Sequence, residues 1–185
     1  MINGYDFDGT IYDGDSSLDF YLYSVKRNKK ILLTLPHQIY GLILYIIKKI
    51  DKTKCKEYVF SFLQEIDDID DYIEKFWKRN YTKIKKWYIE QQEKSDIIIS
   101  ASPEFLLKPL ENKLKVKIIG TKVNKKTGIF ESLNCHDIEK VKRFYQETKH
   151  KKLKSFYSDS MSDKPMMDIS ETAYLVKKNK IKKLK

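Results

Sequence analysis

The chain has 185 residues and a formal net charge of +11. This length allows one core and one smaller inserted unit, and it excludes several independent domains. All but three of the 37 basic residues are lysine, whereas recognition of phosphates and bases favours arginine. The excess charge therefore predicts no nucleic-acid partner.

The cysteines show neither a disulfide pattern nor a zinc pattern. Cys55 and Cys135 are far apart, without Cys-x-x-Cys spacing, and no signal-peptide pattern is present. The three histidines show no ligand spacing either. We therefore expect a reducing, cytoplasmic environment.

The first predicted strand, Ile2 to Phe7, runs into two carboxylates within the sequence Tyr-Asp-Phe-Asp-Gly-Thr. Because side chains alternate along a strand, Asp6 and Asp8 point the same way, into the crevice at its carboxyl end. Mg²⁺ prefers oxygen ligands and is often held by one or two carboxylates together with a substrate phosphate. Gly9 lets the backbone approach a ligand closely. The pattern predicts a site for phosphate chemistry.

The segment between the first two motifs is predicted to be helical. After a hinge at Asp13-Gly14-Asp15, Ser16 or Ser17 can cap the first helix. A long apolar helix follows around Ile31 to Ile50, and further helices are expected near Lys54 to Gln64, Asp68 to Arg79 and Tyr81 to Glu93.

The apolar segment 31–47 has two interpretations. It is too short for a membrane-spanning helix and is interrupted by Pro36, His37 and Gln38. One interpretation is a buried helix. The other is a peripheral contact, in which apolar side chains enter the membrane interface and flanking basic residues meet anionic headgroups. Those flanking residues are Lys26, Arg27, Lys29, Lys30, Lys48 and Lys49.

A second strand, Asp96 to Ser100, is followed by Ala101, Ser102 and Pro103. Ser102 suits the N-cap of a helix and Pro103 its first turn. Backbone N–H groups at such a helix start would face a phosphate. This segment therefore predicts the anion-binding part of the site.

Three further strands and a hairpin are predicted in the C-terminal half. The strands are Lys115 to Ile119, Ser155 to Ser158 and Ala173 to Val176, and the hairpin is Lys122 to Phe130. We predict an α/β fold, a doubly wound, Rossmann-like core with a parallel sheet formed by residues 1–14 and 94–185. The helical segment 15–93 is inserted into it.

Two segments of this half carry candidate site residues. Lys140 lies on a predicted helix within the sequence Cys-His-Asp-Ile-Glu-Lys-Val. Asp159 and Asp163 follow the strand 155–158 within the sequence Asp-Ser-Met-Ser-Asp-Lys-Pro.

These motifs, in this order, resemble the four motifs of the haloacid dehalogenase superfamily of phosphotransferases. The first of those motifs is Asp-x-Asp-x-Thr, matched by Asp6, Asp8 and Thr10, and the second is matched by Ser100. The last two segments are similar to the Cys-x-Gly-x-x-Lys-Val and Asp-Ser-x-Ser-Asp-x-Pro patterns of subfamily IB phosphatases, with Asp137 in place of the glycine. The resemblance implies that the inserted helices form a C1 cap over the active site.

The resemblance also implies a cofactor and its ligands. Mg²⁺ would be held by Asp6, by the main-chain carbonyl of Asp8 and by Asp159. Asp163 would orient a water molecule or Lys140.

The implied reaction is phosphomonoester hydrolysis. Asp6 would attack phosphorus and form an aspartyl-phosphate, while Asp8 would act first as acid and then as base. Ser100, Lys140 and the Ala101 amide would stabilise the transferring oxygens. An acid at position 8 sets the chain apart from the superfamily's transport ATPases and dehalogenases, and leaves a hydrolase or a phosphomutase. A mutase must exclude water and present its intermediate again, and nothing in the sequence indicates this.

The substrate is expected to be a small or lipid-linked phosphomonoester. Subfamily IB includes phosphatidylglycerophosphate phosphatases, whose caps carry apolar stretches flanked by basic residues. Such a protein would be cytoplasmic or peripheral at the inner face of the membrane, and its oligomeric state is left open.

Two alternatives remain. Phosphoserine phosphatases of the same subfamily carry an acid nine residues after the nucleophile, where Asp15 lies. They also use a cap arginine, for which this chain offers only Arg27 and Arg79, and a Ser-Gly-Gly second motif, from which Ser100-Ala101-Ser102 departs. The other alternative is a membrane-surface binding module without turnover. The complete set of motif charges argues against it, because buried like charges are costly without a metal.

Overall fold

A six-stranded sheet forms the centre of the computed structural model, which describes residues 1–185. The strands are β1 (Asn3–Tyr5), β2 (Ile97–Pro103), β3 (Lys117–Thr121), β4 (Leu153–Ser158), β5 (Ser170–Lys177) and β6 (Lys180–Lys183). Their order is β3-β2-β1-β4-β5-β6, with β1 to β5 parallel and β6 antiparallel. The order reverses beside β1, so its carboxyl end lies at the switch point where open α/β sheets bind ligands.

Five helices separate β1 from β2: α1 (Ser16–Arg27), α2 (Leu35–Ile46), α3 (Lys52–Phe60), α4 (Ile69–Asn80) and α5 (Lys86–Gln91). Four more follow the strands: α6 (Glu104–Leu107), α7 (Pro109–Leu114), α8 (Ile138–Glu147) and α9 (Lys164–Asp168). Short 3-10 helices span Lys29–Thr34, Ser61–Glu65, Tyr81–Lys83 and Met161–Asp163.

Helices cover both faces of the sheet, because alternate strand residues are buried on opposite sides. On one face, Tyr5 and Ile98 share a hydrophobic cluster with Trp77 of α4. On the other face, Ile99 shares a cluster with Phe144 of α8. Parallel strands buried on both faces are typical of doubly wound folds, and the predicted fold class is confirmed.

Aromatic contacts hold the inserted helices on the sheet. The Phe7 and Trp77 rings lie 6.1 Å apart and the Phe20 and Phe76 rings 5.4 Å apart. The Trp77 indole N–H also donates a 2.6 Å hydrogen bond to the Leu106 carbonyl. The insert and the sheet therefore share one core, and the division into a catalytic core and a cap stays a prediction.

The predicted helix from Ile31 to Ile50 is wrong in its extent. A 3-10 helix covers Lys29–Thr34, and α2 begins anew at Leu35 and ends at Ile46. Pro36 explains the break, since proline is tolerated in the first turn of a helix but removes a hydrogen bond from its interior.

The predicted cap at Ser102 is also wrong. Strand β2 continues to Pro103, and α6 begins at Glu104 without a side-chain cap. The cap of α1 is Asp15 rather than Ser16 or Ser17, because its Oδ1 accepts a 2.9 Å hydrogen bond from the Leu18 N–H. The predicted hairpin is present as a single antiparallel bridge between residues 123 and 130.

Candidate active site

The carboxyl ends of β1, β2 and β4 open into one cavity of about 470 Å³. All predicted site residues except Gly9 and Thr10 line it, namely Asp6, Asp8, Asp15, Ser100, Ala101, Lys140, Asp159 and Asp163. The inserted helices form the opposite wall with Leu18, Tyr21, Gln38, Val59 and Phe62. The fold thus gathers segments more than 150 residues apart in sequence.

Lys140 joins two of the acids. Its Nζ lies 2.6 Å from Asp6 Oδ1 and 2.7 Å from Asp163 Oδ2, and the lysine is 2% exposed. Burial acts to lower the pKa of Lys140, but the two carboxylates outweigh it and raise that pKa above its usual value. Lys140 is therefore a fixed positive charge at the centre of the site.

Neighbouring groups act in opposite directions on the pKa of Asp6. Burial raises its pKa, Lys140 lowers it, and the Asp163 carboxylate raises it again, with a net value of about 7. Thr10 Oγ1 donates a 3.2 Å hydrogen bond to Asp6 Oδ2 and accepts a 2.8 Å bond from the Asp159 N–H. Thr10 therefore does not face the cavity but fixes Asp6 relative to Asp159.

Asp8 is held at both carboxylate oxygens. Its Oδ1 accepts a 2.6 Å hydrogen bond from the Ser16 N–H, and its Oδ2 accepts one from the Ser102 hydroxyl. Burial raises the pKa of Asp8 to about 6, although both hydrogen bonds act to lower it. A carboxyl group with this pKa can give and take protons near neutrality.

Asp159 and Asp163 complete the acidic cluster from the loop after β4. Burial raises the pKa of Asp159. Asp163 Oδ2 accepts a 2.8 Å hydrogen bond from the Ser158 hydroxyl, while Asp163 Oδ1 is buried without a partner. Gly9 has φ +71°, and a Cβ there would overlap the Asp159 carboxylate. Glycine therefore suits position 9 for two reasons, the positive φ and the lack of room for a Cβ.

The donor set fits Mg²⁺. Asp6, Asp159 and Asp163 bring three carboxylates against the single charge of Lys140, and Asp163 Oδ1 is an unused buried acceptor. No three acidic, histidine or cysteine side chains are close enough to form a cage by themselves. Mg²⁺ commonly takes one or two carboxylates and completes its shell with carbonyls, water and substrate phosphate.

The predicted anion-binding segment leaves the regular sheet. Pairing between β2 and β3 is irregular between Ile99 and Pro103. Ser100 is buried, and its Oγ accepts a 3.1 Å hydrogen bond from the Ser102 N–H. Ser100 and Ala101 both line the cavity together with the acids.

Ser102 and Lys56 are two polar side chains of the cavity that the sequence analysis did not assign to the site. The sequence predicted Ser102 as a helix N-cap, although its place two residues after Ser100 could have indicated a side chain of the site. Lys56 comes from α3, and its Nζ donates a 3.1 Å hydrogen bond to Asn134 Oδ1. Burial lowers the pKa of Lys56, and Lys56 pairs with no carboxylate. Nothing in the sequence distinguishes this lysine from the many others.

The comparisons with known proteins agree with this architecture. The family model described as haloacid dehalogenase-like hydrolase matches residues 4–168, which include all four motifs. No curated protein is significantly similar to the chain in sequence.

Several solved structures share the fold. A protein of unknown function from Bordetella pertussis Tohama I has a TM-score of 0.71 and 17% identity, over 90% of this chain and 85% of that one. A phosphoserine phosphohydrolase-like protein from Francisella tularensis has a TM-score of 0.56 and 15% identity, over 93% and 85%. A substrate-bound phosphoserine phosphatase has a TM-score of 0.54 and 13% identity, over 93% and 83%. At these identities, the likeness shows the fold alone.

Proposed function

Because the chain belongs to the haloacid dehalogenase-like hydrolase family, as its motifs predicted, we propose that it is a Mg²⁺-dependent phosphomonoester hydrolase working through an aspartyl-phosphate. The observation that carries the proposal is the convergence of Asp6, Asp8 and Lys140 at the carboxyl end of β1, on one cavity that Asp159 and Asp163 also line.

Asp6, the Asp8 carbonyl and Asp159 would hold the metal, and Asp163 would orient groups around it. Bound Mg²⁺ supplies positive charge that offsets the phosphate and the carboxylates. The buried Asp163 Oδ1, which has no hydrogen-bond partner, supports this assignment. Burial raises the pKa values of Asp6 and Asp159, and a bound cation would favour their ionised forms.

In the first half-reaction, an Asp6 carboxylate oxygen forms a bond to phosphorus as the bond to the leaving oxygen breaks. Lys140, Ser100 and the Ala101 amide stabilise the phosphoryl oxygens. Thr10 and Lys140 keep Asp6 oriented for the attack, since they contact different oxygens of its carboxylate.

Asp8 moves the protons. Its protonated carboxyl gives a proton to the leaving oxygen, and the resulting carboxylate takes one from the water that then attacks the aspartyl-phosphate. That second attack releases inorganic phosphate and regenerates Asp6. The hydrogen bonds from the Ser16 N–H and the Ser102 hydroxyl keep Asp8 in place through both steps.

The cavity suits a small or lipid-linked phosphomonoester. Its acidic end receives the phosphate, while Leu18, Val59 and Phe62 offer an apolar wall to the leaving group. Lys56 supplies a cation without a carboxylate partner for a second anionic group. The proposed place of action is the cytoplasm, at the inner membrane face for a lipid substrate, in keeping with the free thiols of Cys55 and Cys135.

Phosphoserine phosphatase is a second candidate, favoured by Asp15 in the cavity lining and by neighbours that bear this name. Two observations weaken it. Asp15 already caps α1, and no arginine lines the cavity. Arg27 instead pairs with Asp71 on the surface.

The test is phosphate release with and without Mg²⁺ from p-nitrophenyl phosphate, phosphoserine and phosphatidylglycerophosphate in micelles. Asp6→Asn should abolish release, while the exposed Asp168→Asn should not change it. Preference for one substrate then identifies the leaving group. If no substrate is hydrolysed in a Mg²⁺-dependent manner, the alternative of a binding module without turnover replaces the proposal.

A further inference from the structure

A dense apolar surface lies on the inserted helices, away from the catalytic acids. Ten of the chain's 22 exposed large hydrophobic side chains fall between residues 32 and 47. The most exposed aliphatic side chains among them are Leu33, Ile39, Leu42, Ile43, Ile46 and Ile47, which we call the apolar face. We propose that this face docks on the surface of an anionic lipid bilayer.

The rest of the chain leaves this face uncovered. Residues 31–47 contain no charged side chain, and within α2 only Gln38 and Gly41 are buried. Ile43 is 49% exposed and Ile46 is 67% exposed. Soluble helices usually turn a polar face to water, and a helix that is apolar all round is normally covered. Exposed apolar patches of this kind mark interaction sites.

The charges around the face identify the partner as anionic. Residues 20–50 contain no acidic residue and six basic ones. Of these, Lys29 and Lys30 lie before the face, and Lys48 and Lys49 lie after it, all exposed and none in an ion pair. A second copy of the chain would bring like charges together, which is unfavourable. Anionic headgroups would instead meet the lysines while the apolar side chains enter the interface.

The length of α2 makes this contact a peripheral one. Its twelve residues span about 18 Å, against roughly 30 Å of bilayer hydrocarbon. No helix in the chain combines the length and apolarity needed for crossing a membrane. An arrangement of the helix parallel to the membrane surface therefore fits the segment, with its exposed apolar side chains at the headgroup boundary.

The docking helix is also a wall of the catalytic cavity. Gln38, on the buried side of α2, lines that cavity and accepts a 3.2 Å hydrogen bond from the Tyr21 hydroxyl. Membrane attachment would therefore hold the cavity close to the lipid surface. The inference itself does not require turnover, so it is tested independently of the proposed hydrolysis.

The test is flotation of the full chain with phosphatidylcholine vesicles, with and without phosphatidylglycerol. We expect binding to the anionic vesicles only. The double variant Ile43→Ser, Ile46→Ser should weaken this binding by at least about tenfold. The matched control Ile129→Ser, Leu133→Ser removes side chains of similar exposure, 54% and 64%, outside the face, and should bind normally. Circular dichroism verifies that both variants fold.

Two matched charge-reversal variants test the contribution of the lysines. Lys48→Glu with Lys49→Glu should weaken binding more than Lys182→Glu with Lys183→Glu, which makes the same charge change on β6. The catalytic variant Asp6→Asn should bind vesicles like the wild type. The inference is overturned if the wild type does not bind anionic vesicles, if both serine variants bind equally, or if the face instead mediates a dimer that Ile43→Ser, Ile46→Ser dissociates.

Discussion

The Ser102 hydroxyl donates a hydrogen bond to Asp8 Oδ2 and thereby joins β2 to the acid that follows β1. The Ser16 N–H donates to the other oxygen of the same carboxylate. Asp8 is the proposed acid and base, and its pKa of about 6 results from burial opposed by these two hydrogen bonds. Ser102 is thus a positioning residue that also sets the proton affinity of Asp8.

Replacing Ser102 by alanine should raise the pKa of Asp8, because a hydrogen bond that favours the ionised carboxylate is lost. Asp8 must be protonated in the first half-reaction, so the alkaline limb of kcat/KM should move to higher pH. The maximal kcat/KM should fall about tenfold as Asp8 loses its orientation. The measurement is the pH-rate profile with p-nitrophenyl phosphate. Ser17 contacts Ser102 but not Asp8, so Ser17→Ala should leave the alkaline limb at the pH of the wild type.

Replacing Lys140 by methionine should destabilise the metal-free protein by about 3–5 kcal/mol, because buried Asp6 and Asp163 would lose their shared counter-ion. Mg²⁺ should recover part of this loss by supplying positive charge at the same place. Urea unfolding with Mg²⁺ and with EDTA measures both effects. Lys142→Met, on the exposed side of the same helix, should change stability by less than about 1 kcal/mol. Equal effects of the two substitutions would contradict a buried charge cluster.

The sequence predicted which side chains meet better than it predicted the local structure around them. Asp6, Asp8, Asp159 and Asp163 line one cavity, because short motifs at the ends of strands need only local spacing and a parallel sheet to meet. Their chemical roles stay predictions. The predicted helix N-cap at Ser102 was wrong, since the hydrogen bond from Ser102 to Asp8 outweighs the preference of serine for helix starts.

Other features had no sequence signal. Lys56 enters the cavity because α3 packs over it, and a lysine-rich sequence does not show which lysine a fold will bury. The apolar segment 31–47 left two interpretations open because periodicity does not reveal what covers a helix. The structure shows the segment largely exposed, and contact with lipid stays a proposal.

Asp137 stands where the related motif has glycine, and its backbone has φ +54° and ψ −129°. This region strongly favours glycine, because a Cβ is strained there. Asp137→Gly should therefore stabilise the protein by about 1 kcal/mol. Asp137→Ala should not, since alanine keeps the Cβ. Thermal and urea unfolding of both variants test this expectation, and a loss of stability in the glycine variant would mean that the aspartate side chain contributes more than the strain costs.

Binding of Mg²⁺ should depend on pH through Asp6. The metal needs the ionised carboxylate, whereas the pKa of Asp6 in the metal-free protein is about 7. Protons therefore compete with Mg²⁺ below that pH, and the apparent affinity should fall about tenfold per pH unit, while above it the affinity should level off. Isothermal titration calorimetry across this range measures the effect. In Asp6→Asn, binding should be weaker and should lose the part of this dependence that Asp6 contributes, which leaves only that of Asp159. A wild-type affinity that stays constant down to about pH 5 would place the metal away from Asp6.

Lys56 should select substrates that carry a second anionic group. It lines the cavity without a carboxylate partner, so its charge is available to the leaving group rather than to the transferring phosphate. Lys56→Met should raise KM for phosphoserine about tenfold with little change in kcat, because a contact made equally in the ground and transition states is lost. p-Nitrophenyl phosphate, which has no second anion, should keep its KM. Lys52→Met, exposed on the same helix, is the matched control. If KM rose equally for both substrates, Lys56 would act on the phosphate itself, and the second anion would have to be recognised elsewhere.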